Sequence, residues 1–149
     1  MIQEDKELLL KDLCARLPYG VKCYNEFSEK ICELAAIEAD REGVLLYFWD
    51  KRKMFYHQKT YIREVRPYLL PLSSMTEEQW RELFNIAGYE VREEDCGRHT
   101  EMYYYELVGH ENELYPNSDA IDWLNAHHFD YRGLIEKGLA LDATGLNIY

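Results

Sequence analysis

Apolar residues recur with a helical period at the start of the chain. Leu10, Leu13, Cys14 and Leu17 fall at i, i+3, i+4 and i+7, one stripe on a helix over about residues 4–17. Pro18 disfavours helical geometry at Leu17 and ends the helix there. The pattern then changes. Residues 21–24, 31–39, 44–49 and 54–58 are short runs rich in Val, Ile, Tyr, Phe and Trp, divided by short polar links, which predicts an antiparallel meander. Residues 44–49 are apolar at both parities, as expected of a central strand covered on both sides. Residues 29–41 read two ways. Their Ala and Glu content, with Gly43 beyond, suits a helix capped at C′. Asp40-Arg41-Glu42-Gly43 makes a hairpin link to the next strand, and on that ground the segment is read as a strand.

Pro67 and Pro71 preclude regular helix over residues 66–72, which are expected to lie extended on the core. The clearest helix start follows. Thr76-Glu77-Glu78-Gln79 is a capping box, and Met75 at N′ can staple onto Trp80 at N4. Trp80, Leu83, Phe84 and Ala87 form the expected buried stripe, with Gly88 at C′. Residues 89–101 are polar and predict a loop, and residues 102–108 predict a fifth strand. Two short helices close the chain. One is capped by Asn117 or Ser118 and runs to about His127. The other is capped by Asp130, with Phe129 placed to staple onto Leu134, and ends at Gly138 with Leu139 touching Leu134 in a Schellman turn. The expected fold is α+β: an N-terminal helix, a four-to-five-stranded antiparallel meander and three further short helices, packed in layers as a single domain over residues 1–149.

Size agrees with this reading, since 149 residues can bury a core without a disulfide or metal staple. Apolar residues make up 47% and charged residues 30%, the balance of a packed globule rather than a disordered tail. Charge narrows the partners. A net charge of −11 opposes nucleic acid and anionic membrane over most of the surface and suits basic partners. No apolar run approaches the ~20 residues of a spanning helix, and the acidic start, residues 1–7, lacks the basic region of a signal peptide. A cytoplasmic setting follows as the expectation, with Cys14, Cys23, Cys32 and Cys96 as reduced thiols. None of their spacings is Cys-x-x-Cys, so neither a thioredoxin-like site nor a zinc ribbon is supported.

Three blocks carry a family resemblance: residues 11–21 (Lys-Asp-Leu-Cys-Ala-Arg-Leu-Pro-Tyr-Gly-Val), 66–76 (Arg-Pro-Tyr-Leu-Leu-Pro-Leu-Ser-Ser-Met-Thr) and 130–141 (Asp-Tyr-Arg-Gly-Leu-Ile-Glu-Lys-Gly-Leu-Ala-Leu). Together they resemble a family of small proteins from gut bacteria, their phages and mobile elements. That family has no assigned activity, cofactor or catalytic residue, so the resemblance implies only a setting: a bacterial cytoplasm and an accessory or phage-derived gene.

The most distinctive chemistry lies in residues 51–66, which hold six of the seventeen basic residues and one acid. If the segment is extended from residue 53, one parity carries Lys53, Phe55, His57, Lys59, Tyr61 and Arg63. Cations interleaved with aromatics can hold phosphates while stacking bases. The same pattern suits a basic edge strand that blocks edge-to-edge aggregation, or a stretch paired with the acidic residues of 77–119. His127-His128-Phe129-Asp130-Tyr131-Arg132-Gly133 offers a general base, an orienting carboxylate and an anion-binding arginine. Adjacent helical side chains diverge by about 100°, however, and Asp130 is already engaged as a cap. Cys96, His99 and His110 make a Cys-x2-His-x10-His set lacking a fourth zinc ligand. A glycine-rich phosphate loop, a Gly-x-Ser-x-Gly elbow and a His-Glu-x-x-His helix are all absent from the sequence. The reading that remains is a non-enzymatic interaction or accessory module with a protein partner, no catalytic residue and no cofactor. The alternative is a nucleic-acid-binding adaptor using residues 51–66, and third a small enzyme centred on His127 or His128.

Overall fold

The computed structural model describes residues 1–39, 43–50, 55–88 and 118–149, and the meander organises it. Strands β1 (Lys22–Asn25), β2 (Lys30–Ala39), β3 (Val44–Asp50) and β4 (Phe55–Tyr61) are successive antiparallel neighbours. β5 (Val65–Leu69) returns antiparallel to the other side of β1, and β6 (Leu141–Asp142) joins β5 in parallel, giving the order β4-β3-β2-β1-β5-β6. Helix α1 (Gln3–Arg16) precedes the sheet, and helices α2 (Glu77–Ile86) and α3 (Ser118–Ala126) pack on each other beyond it. The fold is therefore α+β, with three α-helices among the described residues where four were expected. The expected loop at 89–101 and strand at 102–108 lie outside the described residues.

β2 forms as a strand, and its helical look in the sequence has a physical cause. Its register to β3 shifts between Leu34 and Ala36. Across that bulge Leu34 and Ile37, three apart, stand opposite Phe48 and Leu46, so both face the core. The bulge thus produces an i, i+3 spacing inside a strand. β3 is second from the β4 end rather than central. Val44, Leu46 and Phe48 enter the main core, Leu45 is buried at the opposite parity, and the double cover ends at Trp49.

The extended segment 66–72 supplies β5. The bond from Glu26 N–H to Glu64 C=O sets the phase of the β1–β5 ladder and places Pro67, opposite Cys23, at a non-hydrogen-bonded pair. No N–H is needed there towards β1, so proline is tolerated.

The stripe of α1 is rotated from the expected one. Its buried residues are Leu9, Asp12, Leu13 and Arg16, while Leu10 and Leu17 are half-buried and Cys14 is exposed. The Arg16 Nε–H donates to Asp12 Oδ2 at 2.8 Å with both side chains fully buried. Apolar periodicity cannot register a pair of charges that neutralise each other inside the fold.

α2 begins as its sequence dictates. Gln79 N–H donates to Thr76 Oγ1 at 3.2 Å, and Thr76 N–H donates to Gln79 Oε1 at 2.9 Å. Leu83 and Phe84 are buried with Met75, Ala120, Trp123, Leu124, Phe129 and Tyr131 in a second core, on which Trp80 and Ala87 pack half-buried. Gly88, at φ +85°, closes the helix at C′.

The expected last helix is instead a run of turns. Gly133 takes φ +69°, which breaks helical geometry three residues after Asp130. The Asp130 carboxylate therefore accepts from Leu134 N–H at 2.9 Å and Ile135 N–H at 2.7 Å, further on than an ordinary N-cap. The Schellman closure survives, with Leu139 N–H donating to Leu134 C=O and Gly138 N–H to Ile135 C=O.

Candidate functional site

The basic segment is brought partly together. Lys53 lies outside the described residues, Phe55, His57, Lys59 and Tyr61 lie on β4, and Arg63 lies in a single 3-10 turn, Ile62–Glu64, beyond the strand. The β3–β4 register shifts between Phe48 and Trp49. Lys59 and Tyr61 stand opposite Tyr47 and Leu45, whereas Phe55 stands opposite Asp50. Within β4 the alternation is therefore interrupted at His57, which puts Phe55 out of phase with Lys59 and Tyr61. The Arg63 guanidinium lies over the exposed Tyr61 ring at 4.9 Å.

The histidine motif is drawn into packing. His127 stacks on Trp123 with centroids 3.9 Å apart, and its Nδ1 lies 2.9 Å from the Trp123 carbonyl oxygen. His128 turns elsewhere, to stack on Tyr149 at 3.7 Å. It is buried and holds φ +59°, and its Nδ1 makes no hydrogen bond. Burial first, then the charges of Arg16, His127 and Lys22, lower its pKa to about 4. Arg132 Nη1–H donates to Asp12 Oδ1 at 3.1 Å, and Tyr131 O–H donates to Asn125 Oδ1 at 3.1 Å. Arg16 ties this motif to α1, donating through Nη2 to the Phe129 carbonyl at 2.7 Å and through Nη1 to that of Leu124 at 3.4 Å. The two histidines do not converge on a common point, and the carboxylates and arginines nearby saturate one another. Cys96, His99 and His110 lie outside the described residues. Among the described residues no group of three His, Cys, Asp or Glu is placed to hold a metal ion.

The sheet has a second face, and there the chain exposes apolar side chains. With Val44, Leu46 and Phe48 on the core side, alternation sets Leu45, Tyr47 and Trp49 on the other. Trp49 stands opposite Glu33, which stands opposite Lys22. Tyr24 stands opposite Ile31, and Leu45 opposite Tyr61. Ile31 is 49% exposed, Trp49 39% and Tyr61 40%. At the tip of the β1–β2 hairpin Phe27 is 81% exposed, beside an Asn25 side chain that accepts from both Phe27 N–H and Ser28 N–H. That arrangement fixes the tip backbone while leaving the phenyl ring in water. Among the described residues of this face, Lys22 pairs with Glu33, Arg66 Nη2 pairs with Glu26 at 2.7 Å, and the Tyr47 hydroxyl donates to Glu38. The described part of the outer face thus exposes aromatic and apolar side chains beside two ion pairs. Sequence reasoning passed over Phe27 and Ile31. The available signal was an aromatic residue inside a polar turn, Asn25-Glu26-Phe27-Ser28-Glu29, where no core position calls for one.

No family model, curated protein or solved structure matches this chain. Among the described residues no helix is long and apolar enough to cross a membrane.

Proposed function

We propose that the chain is a non-enzymatic accessory module that binds a protein partner through the outer face of its sheet and the adjoining hairpin tip. The observation that carries this reading is the set of exposed apolar side chains there, Phe27, Ile31 and Trp49, beside the Lys22–Glu33 and Arg66–Glu26 ion pairs. Exposed apolar and aromatic anchors are what a desolvating interface needs. The stacking of His127 on Trp123 and of His128 on Tyr149, with Asp130 and Arg132 engaged in structural bonds, supports a packing role for that motif. Resemblance to proteins of gut bacteria and phages supports an accessory role in a bacterial cytoplasm. The test is affinity capture from the native cell extract with wild type and with Phe27→Ser and Ile31→Lys. A partner retained by wild type and lost by both variants, at unchanged denaturation midpoint, is expected. Equal retention by the variants would reject the face.

A second reading, a nucleic-acid adaptor using residues 51–66, draws support from the exposed Tyr61 ring with Arg63 over it.

A further inference from the structure

Cys23 and Cys32 face each other across the first hairpin. They are direct partners on β1 and β2. The bond from Leu34 N–H to Val21 C=O, 3.0 Å, sets the phase of this ladder, and alternate pairs counted from it, Cys23 and Cys32 included, are hydrogen-bonded pairs. In such a pair the Cα atoms lie ~5.5 Å apart, a common separation in disulfides. Their Cβ atoms lie near the wide end of ~4.5–5.5 Å, whereas a disulfide requires ~3.8 Å. Neither is engaged in a disulfide. Both belong to the core under α1, Cys23 within it and Cys32 at its half-buried margin. A bond between them is therefore within reach but strained, and strained disulfides are the readily reduced, regulatory kind.

We propose that Cys23 and Cys32 form a redox-closable dithiol, with Cys32 as the entry thiol and a small-molecule disulfide such as oxidised glutathione as the oxidant. The Cys32 thiolate attacks one sulfur of the small disulfide, forms a mixed disulfide and expels one glutathione thiolate. Cys23 then loses its proton to water, attacks the Cys32 sulfur, closes the protein disulfide and expels the second glutathione thiolate. Two protein thiols are oxidised by two electrons, one small disulfide is reduced to two thiols, and these take up the two protons. Burial, with Cys32 and Asp12 adding to it, pushes the Cys23 thiol far above its ordinary range, so closure is the slower step. The mixed disulfide on Cys32 forms first and then decays into the closed form. Cys14, exposed on α1, stops at the mixed disulfide. This dithiol lies on the core side of the sheet and does not depend on the binding role of the outer face.

The full chain, reduced and then incubated with oxidised glutathione, is sampled over time, quenched by alkylation and digested with trypsin. Cleavage after Lys22, Lys30 and Arg41 puts the two cysteines on separate peptides, 23–30 and 31–41. The expected result is that these two travel as one linked species, which excess reduced glutathione separates. In Cys23→Ala the glutathione adduct on Cys32 should persist instead of decaying. Should that variant fail to fold, Cys32→Ala, altered at a half-buried position, should abolish the linked species altogether. A wild-type endpoint with glutathione still on Cys32 and no linked species would overturn the proposal. So would a link from either cysteine to Cys14 or Cys96, or a linked species that resists excess reduced glutathione.

Discussion

The Tyr149 hydroxyl donates to the Tyr68 carbonyl at 2.6 Å, and the same oxygen accepts from Lys22 N–H at 3.1 Å. Continuing the β1–β5 register past Cys23 and Pro67 brings Lys22 opposite Tyr68, where the next ladder bond would fall. β5 turns there to pair with β6 through Tyr68 and Leu69. The phenol fills the opening, acting as both donor and acceptor where two strands part. Its ring is held by the His128 imidazole, so the sheet and the 127–133 motif are closed by one side chain.

Tyr149→Phe should therefore keep the stack and lose the bridge. One bridging hydroxyl is worth about 0.5–1.5 kcal/mol, read as a lower urea midpoint with an unchanged slope. Tyr149→Ala should cost more, since it also uncovers His128. Equal midpoints for wild type and Tyr149→Phe would mean that water replaces the hydroxyl without loss.

His128 makes stability depend on pH. Its folded pKa of about 4 lies below the unfolded value near 6.5, so between these limits the unfolded chain binds more protons than the folded one. Stability from this group is complete above pH ~6.5 and falls as pH drops towards ~4, by up to about 3 kcal/mol in all. His128→Asn tolerates the left-handed backbone and carries no proton. It should flatten the stability profile between pH 7 and 5, where carboxylates contribute least. A variant profile parallel to wild type would show that His128 is hydrated and unshifted.

Asp12 holds two arginines, Arg16 fully buried with it and Arg132 partly exposed. Asp12→Ala leaves Arg16 buried without its counter-charge, at a cost of about 3–5 kcal/mol. Arg16→Met is gentler on charge, because Asp12 keeps Arg132, and the Leu124 and Phe129 carbonyls keep the Phe129 and Tyr131 N–H donors. Thermal unfolding of both variants is the check. Asp12→Ala the more stable of the two would indicate that Arg16 reaches solvent.

These relationships explain which parts of the fold were legible. The meander, the capped start of α2 and the Schellman closure at Gly138 are written in local chemistry, and they formed where expected. The buried face of α1 was misread because Asp12 and Arg16 look like surface residues until each is opposite the other. Gly133 converted an expected helix into turns, since a left-handed residue resembles an ordinary one in the sequence. Trp80 was placed on the right helix face but is only half-buried, with Leu83 and Phe84 deeper. Long-range register was illegible throughout. The facing of Cys23 and Cys32, and the exposure of Ile31 and Trp49, follow from strand order and two bulges, neither of which periodicity encodes.

Nucleic-acid binding by residues 51–66 can be decided without a known partner. The segment carries a local charge of +5 against −11 for the whole chain, so any affinity must be local and confined to low salt. Three phosphate contacts from Lys53, Lys59 and Arg63 would give a salt slope of about −2 on single strands. Binding would then weaken about twentyfold between ~50 and ~200 mM salt. The expected outcome is no binding at either concentration. The register shift on β4 puts Phe55 out of phase with Lys59 and Tyr61, and Arg63 stands in a turn rather than on the strand. Stacking alone, without a continuous row of cations beneath the backbone, does not overcome the repulsion from the acidic remainder of the chain. Fluorescence anisotropy with short single strands, on wild type and on the Lys53→Gln, Lys59→Gln, Arg63→Gln triple variant, gives the answer. Tight, salt-sensitive binding lost in the folded triple variant would displace the protein-binding reading and make these residues the site.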